Sequence, residues 1–102
     1  MRRAARKDSN HSEIEAVFRQ MLADHVTDTS AMGGGIGDLY VSFGHFGVFI
    51  EIKKNEKSEF TAAQIRFQRE HPHMVWRCET VEDAVHQCKC IRANAGLLVI
   101  NT

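Results

Sequence analysis

Two stretches near the middle of the chain alternate apolar and polar residues with a period of two. In Ile36-Gly37-Asp38-Leu39-Tyr40-Val41-Ser42-Phe43, one face takes Leu39, Val41 and Phe43 and the other takes Asp38, Tyr40 and Ser42. In Val48-Phe49-Ile50-Glu51-Ile52-Lys53, Val48, Ile50 and Ile52 fall together, opposite Phe49, Glu51 and Lys53. Side chains on a strand point alternately to its two faces, so both stretches read as strands with an apolar side for a core and a side carrying charge. Elsewhere the period is helical. Ile14, Val17, Phe18, Met21 and Leu22 predict an amphipathic helix over 11–24. Val26 to Ser30 reads as a short strand, and the glycine-rich run from Ala31 to Gly37 connects it to the hairpin. Thr61 with Gln64 fits a capping box and Phe60 with Ile65 a hydrophobic staple, so a helix starts there and ends near Glu70, before Pro72. Met74 to Cys78 reads as a strand, and Thr80 caps a helix reaching about Ile91. Gly96 to Ile100 is a small apolar run that fits an edge strand or an oligomer contact. The order α-β-β-β-α-β-α predicts an α/β fold, a mixed sheet flanked by helices.

Composition narrows this picture. The 102 residues suffice for one domain, expected over residues 10–102 behind a flexible basic arm at 1–9. A hydrophobic fraction of 43% with 25% charged residues is that of a globular protein. A formal net charge of zero argues against a histone-like, nucleic-acid-coating protein. The charge is nevertheless uneven. Arg2, Arg3, Arg6 and Lys7 crowd the start, Lys53, Lys54 and Lys57 follow the second strand, and Arg66 and Arg69 lie further on. A neutral total can therefore carry a basic face for phosphates. Cys78, Cys88 and Cys90 are an odd number, and Met1 to Arg6 lacks the apolar segment of a signal peptide. No stretch has the apolar length of a membrane span, so a reducing, cytoplasmic setting is expected.

The turn between the two central strands decides whether their charges meet. A two-residue turn at Gly44-His45 sets Asp38 opposite Glu51, whereas a loop centred one residue later sets it opposite Lys53. Both registers put the three residues on one face, and Gly44 suits the positive φ of a type II′ turn. Opposed carboxylates with Cβ atoms about 5 Å apart repel each other unless a cation lies between them. Mg²⁺ takes one or two carboxylates together with waters and phosphate. A solvated surface hairpin is the plainer reading, because exposed charge pairs are common and contribute little.

Gly37-Asp38, then Glu51-Ile52-Lys53, then Gln64 on the following helix resemble the PD-(D/E)xK nuclease superfamily. Within it, the compact element order and the glutamine after a short loop are most similar to the VRR-NUC domain and the archaeal Holliday-junction resolvases. Lys7-Asp8-Ser9-Asn10 through Glu13-Ile14 and on to the strand of Trp76 resembles small stand-alone members from phages and bacteria. The likeness covers roughly residues 7–86 and implies a restriction-endonuclease-like sheet. It further implies that Asp38 and Glu51 hold Mg²⁺ or Mn²⁺, that Lys53 stabilises the attacking water and the phosphorane charge, and that Gln64 bonds near the scissile phosphate. Such members are typically homodimers that cut branched DNA, and Leu97-Leu98-Val99-Ile100 offers an apolar tail for that contact. Gly37 replaces the proline usual before the first aspartate. The family's further acid, on the first helix and at the metal, matches Glu13 through Asn10-x-x-Glu13-Ile14. Glu13 and Glu15 flank the apolar stripe about equally, and the alignment also admits His11 or Asn10 there.

Plainer readings stand beside these. Gln64 is fully explained by the capping box, and Glu15 can serve Ser12 in the same way. Cys88 and Cys90 are about 200° apart on a helix and cannot share one zinc ion. Gly33-Gly34-Gly35-x-Gly37 precedes a strand, unlike a phosphate-cradling loop, and fits a close approach of backbone or DNA to Asp38. The expected function is a metal-dependent endonuclease for branched DNA. The rivals are a non-catalytic DNA-binding or subunit domain and a sequence-specific restriction-type nuclease, for which so short a chain leaves little base-reading surface.

Overall fold

A computed structural model of the chain describes residues 9–22 and 25–100, with side chains as far as Ala95. The basic arm, apart from Ser9, and the side chains of the Leu97–Ile100 tail lie outside the described residues, as do the last two positions expected in the first helix. The elements are α1 (His11–Leu22), β1 (Val26–Asp28), β2 (Leu39–Phe43), β3 (Phe46–Ile52), α2 (Ala62–Glu70), β4 (Val75–Cys78) and α3 (Val81–Ile100). Their order is the predicted α-β-β-β-α-β-α. They form one four-stranded mixed sheet in the order β1-β2-β3-β4. Neighbours run antiparallel from β1 to β3, and β4 lies parallel to β3, a pairing that needs the crossover through α2.

The hairpin follows the two-residue turn. Phe43 pairs with Phe46 and Leu39 with Ile50, in register throughout, and Gly44 at φ +62 supplies the positive φ of a II′ turn. The alternation then sorts the side chains as expected. Leu39, Val41, Val48, Ile50 and Ile52 are buried against Ile14, Phe18 and Leu22 of α1 and against Ala84, Cys88 and Ile91 of α3. On the other face Tyr40 stacks on Phe49, whose ring meets Phe67 of α2 edge-on at 5.4 Å. No residue of α2 is fully buried, so this second layer is thin.

Local chemistry sets the element ends. The Asp28 carboxylate accepts from the Ser30 N–H at 2.9 Å and the Ser30 hydroxyl at 2.6 Å, a turn that stops β1 two residues short of the expected strand. Thr61 and Gln64 form the full reciprocal capping box of α2. Thr80 and Asp83 do the same for α3, through Asp83 N–H to Thr80 Oγ1 at 3.0 Å and Thr80 N–H to Asp83 Oδ2 at 3.3 Å. The expected staple is replaced, because Ile65 stays 46% exposed. The Phe60 ring lies under the cations of Lys53 and Arg77 instead, at 5.3 and 5.2 Å.

One expectation is corrected. The run from Gly96 to Ile100 is no edge strand but the last part of a 20-residue α3. Glycine inside a helix costs only about 1 kcal/mol against alanine, and the alanines and leucines around it favour continuation. No described helix is long and apolar enough to cross a membrane.

The cysteines belong to the packing. Cys78 and Cys88 are buried and Cys90 is partly exposed beside His86. Among the described residues, these three and His86 form no metal-binding group. Burial, helped by nearby Asp83, pushes the Cys78 thiol up to about 12 from 9.0, and burial pushes Cys88 up to about 11 against the opposing pull of Arg92. Both thiols keep protons in the folded chain that the unfolded chain releases above pH 9.0, so their contribution to stability is complete below that pH and is lost as pH rises towards 11–12. A thiol reagent at pH 8 should therefore modify one of the three cysteines quickly, with the other two appearing only on unfolding. Rapid release of all three would show that α3 does not seal β4.

Candidate functional site

The charged face of the hairpin is not a solvated surface. Glu51 is 5% exposed and Lys53 8%, and Asp38 is half-buried. The register set by the Gly44-His45 turn ends at the pair Leu39 and Ile50, with Asp38 and Glu51 the next residues beyond that pair. Asp38 is held from three sides. Its N–H donates to the Ile50 carbonyl at 2.9 Å, its own carbonyl accepts from Thr29 N–H at 2.8 Å, and its Oδ2 accepts from Ile52 N–H at 2.8 Å. The side chain thus takes the place of a ladder acceptor where β2 leaves β3, and its carboxylate is fixed against the backbone that carries Glu51.

Lys53 lies two residues beyond Glu51 on the same face. Its Nζ is 3.9 Å from Glu51 Oε2 and donates to Gln64 Oε1 at 2.9 Å. That same oxygen also accepts from Thr61 N–H at 2.8 Å. Gln64 is therefore both the capping residue of α2 and the partner of Lys53, and the two readings of it are one geometry. Asn10, just ahead of α1, donates to the Lys53 carbonyl at 3.0 Å and the Glu79 carbonyl at 2.7 Å, tying the ends of β3 and β4 to the first helix.

The glycine run completes the enclosure. A Cβ on Gly35, at φ +75, would lie 2.3 Å from the Ala63 carbonyl oxygen, so the loop touches the backbone at the start of α2. Ser30, Gly33, Gly35, Ile36, Gly37, Asp38, Glu51 and Gln64 line an open cavity of about 100 Å³. Water occupies about 30 Å³ in the liquid, so this space suits an ion with a few waters. Asp38 and Glu51 present hard oxygen donors to it, a set that fits Mg²⁺ or Mn²⁺.

Stability does not account for these charges. A pair about 4 Å apart attracts by about 4 kcal/mol at an effective dielectric of 20, and removing the two ions from water costs several kcal/mol each. The Coulomb attraction of the pair alone does not repay that cost, and the bond from Lys53 to Gln64 adds to the attraction.

Glu13 is not part of this arrangement. It is exposed on α1, and no residue of α1 is among those lining the cavity. Glu15 points elsewhere, with Oε2 on Arg19 Nε at 2.8 Å and Oε1 3.2 Å from His11 Nε2. Ser30 carries no motif in the sequence, and Asn10, which the resemblance admits at the helix-one position, instead ties β3 and β4 to α1 through the Lys53 and Glu79 carbonyls. The close approach that the glycines permit was legible, although the group approaching is the α2 backbone.

Comparison of the chain with protein-family models, with curated proteins and with solved structures found no match.

The seating of α2 on the loop is open to measurement. Gly34 and Gly35 share a left-handed φ, but a Cβ on Gly34 meets open space. Gly34→Ala should cost about 1–2 kcal/mol from that backbone conformation. Gly35→Ala should cost a further 1–3 kcal/mol or so from overpacking. Urea unfolding of the two variants measures the difference, and equal losses would mean that the loop does not support the helix.

Proposed function

We propose that the chain is a Mg²⁺- or Mn²⁺-dependent endonuclease that hydrolyses phosphodiester bonds in DNA, with branched DNA such as four-way junctions as substrate and a homodimer as the working form. The observation that carries this reading is that Asp38, Glu51 and Gln64 line one open polar cavity while the nearly buried Lys53 stands behind them, its Nζ 3.9 Å from Glu51 and bonded to Gln64. The resemblance to VRR-NUC and Holliday-junction-resolvase domains supplies the preference for branched substrates and the dimer.

Each residue has a physical role in this reading. Asp38 and Glu51 would hold the cation by their carboxylates. When bound, the ion lowers the pKa of a coordinated water towards neutrality and neutralises phosphate charge. Lys53 places an ammonium where negative charge grows on the phosphoryl oxygens, and such preorganised charge needs no rearrangement during reaction. Gln64 fixes that ammonium through Oε1, while Phe60 lies beneath it. Lys54 and Lys57 after β3 and Arg66 and Arg69 on α2 are exposed on the elements that border the cavity, a placement suited to a polyanion.

A second reading keeps the fold without turnover, as a DNA-binding or subunit domain. The absence of any α1 residue from the cavity lining favours it, because the family's further acid would come from that helix.

Labelled four-way junctions, flaps and plain duplex incubated in Mg²⁺ or Mn²⁺ separate the readings. Wild type should cut the branched substrates first. Asp38→Asn and Lys53→Gln should each lose about 10²-fold or more in rate, as removal of one preorganised electrostatic group does. Asp38→Asn should still bind junction DNA, since it alters the metal site and leaves the basic surface intact. Equal cutting by wild type and Asp38→Asn would overturn the assignment of the site, and binding without cutting in every metal would establish the second reading.

A further inference from the structure

A second group of metal-ligand side chains lies outside the cavity just described. His11 is in the first turn of α1, Glu15 follows one turn later on the same face, and Asp28 ends β1 on the face that Val26 turns to the core. His11 is 2% exposed. Its Nε2 is 3.2 Å from Glu15 Oε1 and 4.0 Å from Asp28 Oδ2, and one ligand atom from each residue lies within 4.8 Å of the others. We propose that His11, Glu15 and Asp28 form a site for a divalent transition-metal ion, separate from the one at Asp38 and Glu51.

The geometry admits an ion in place of the 3.2 Å hydrogen bond between His11 Nε2 and Glu15 Oε1. Metal–ligand bonds of about 2.0–2.2 Å imply neighbouring ligand atoms about 3.0–3.5 Å apart. The His11–Glu15 edge already has that length, and a small movement of Asp28 at the end of an edge strand closes the other. The remaining oxygen of each acid is held from behind. Arg19 Nε donates to Glu15 Oε2 at 2.8 Å, and the Ser30 N–H and hydroxyl donate to Asp28 Oδ1. Outer partners of this kind orient the acids of metal sites.

The donor set also selects the ion. An imidazole nitrogen with two carboxylates favours Zn²⁺, Co²⁺ or Mn²⁺ over Mg²⁺ or Ca²⁺, which prefer oxygen throughout. The side chains of Glu15 and Asp28 keep 19% and 30% of their exposure, which leaves a route for the ion and room for water ligands. A bound ion would clamp α1 to the edge strand. The segment after Asp28 serves both sites, since Thr29 holds the Asp38 and Gly37 carbonyls and Ser30 lines the cavity.

Co²⁺ is the probe, read by its visible absorption, with Zn²⁺ followed by calorimetry and by the shift in Tm. The titrations use wild type, Asp38→Asn, Asp28→Asn and Glu15→Gln. The last two are isosteric changes at partly exposed positions and spare the buried histidine, and circular dichroism without metal checks their folding. Asp38→Asn should take up about one equivalent of Co²⁺, wild type should show the same equivalent at the same affinity beside any ion taken by Asp38 and Glu51, and Zn²⁺ should raise Tm in both by the usual binding linkage. Asp28→Asn and Glu15→Gln should bind about tenfold more weakly or worse. The proposal is overturned if wild type takes up no Co²⁺, if Asp28→Asn binds it unchanged, or if Asp38→Asn alone abolishes uptake. The first of those outcomes would leave the contact between His11 and Glu15 as a hydrogen bond with no ion. Failure of the nuclease assay would not touch this result, because the Co²⁺ reading is made with Asp38 already replaced.

Discussion

The two-residue turn at Gly44-His45 fixes the register of β2 against β3, and the candidate site inherits its geometry from that register. A slip of β3 by one residue would turn its side chains to the other face of the sheet. It would send Val48, Ile50 and Ile52 out of the core and bring Phe49, Glu51 and Lys53 into it. The apolar face and the charged face therefore enforce each other. Burial of five aliphatic side chains on one side is what holds two acids and a lysine together on the other.

The second constraint is local and acts through a single oxygen. Gln64 Oε1 accepts both the Thr61 N–H and the Lys53 ammonium. The start of α2 is thereby joined to the end of β3, and the close contact at Gly35 joins it to the β1–β2 loop. Elsewhere α2 rests on the sheet chiefly through the edge-on pair of Phe49 and Phe67. A helix without a fully buried residue is positioned mainly at its N-terminal end, so the polar contacts that build the cavity also dock the helix.

Much of this was legible in the residues. The strand alternation, the Thr61–Gln64 capping box, the Thr80 cap and the glycine turn are short-range codes, in which the residues that matter are within a few positions of one another. Glu13 shows where such codes stop. Its place on the flank of an apolar stripe was readable, but which structure that flank faces depends on how α1 crosses the sheet. The crossing turns Asn10 toward Lys53 and places His11 and Glu15 beside Asp28, leaving Glu13 in solvent. The tail of α3 misled for a related reason. Four apolar residues behind a glycine carry no period of their own, and the continuing helix decided their conformation.

The sequence by itself determined the order of elements, the sides of each strand and the residue types that could carry chemistry, because periodicity, capping and turn preference are properties of neighbouring residues. Tertiary structure alone decided that Glu51 and Lys53 are buried and not solvated, that one glutamine oxygen joins a helix cap to a lysine, and that a histidine and an acid of α1 meet the last residue of β1. Those outcomes arise from contacts between distant segments, as in the bond from Asn10 to Glu79, 69 residues away. Only the packing of helices on the sheet sets the distances across which charge, burial and coordination act.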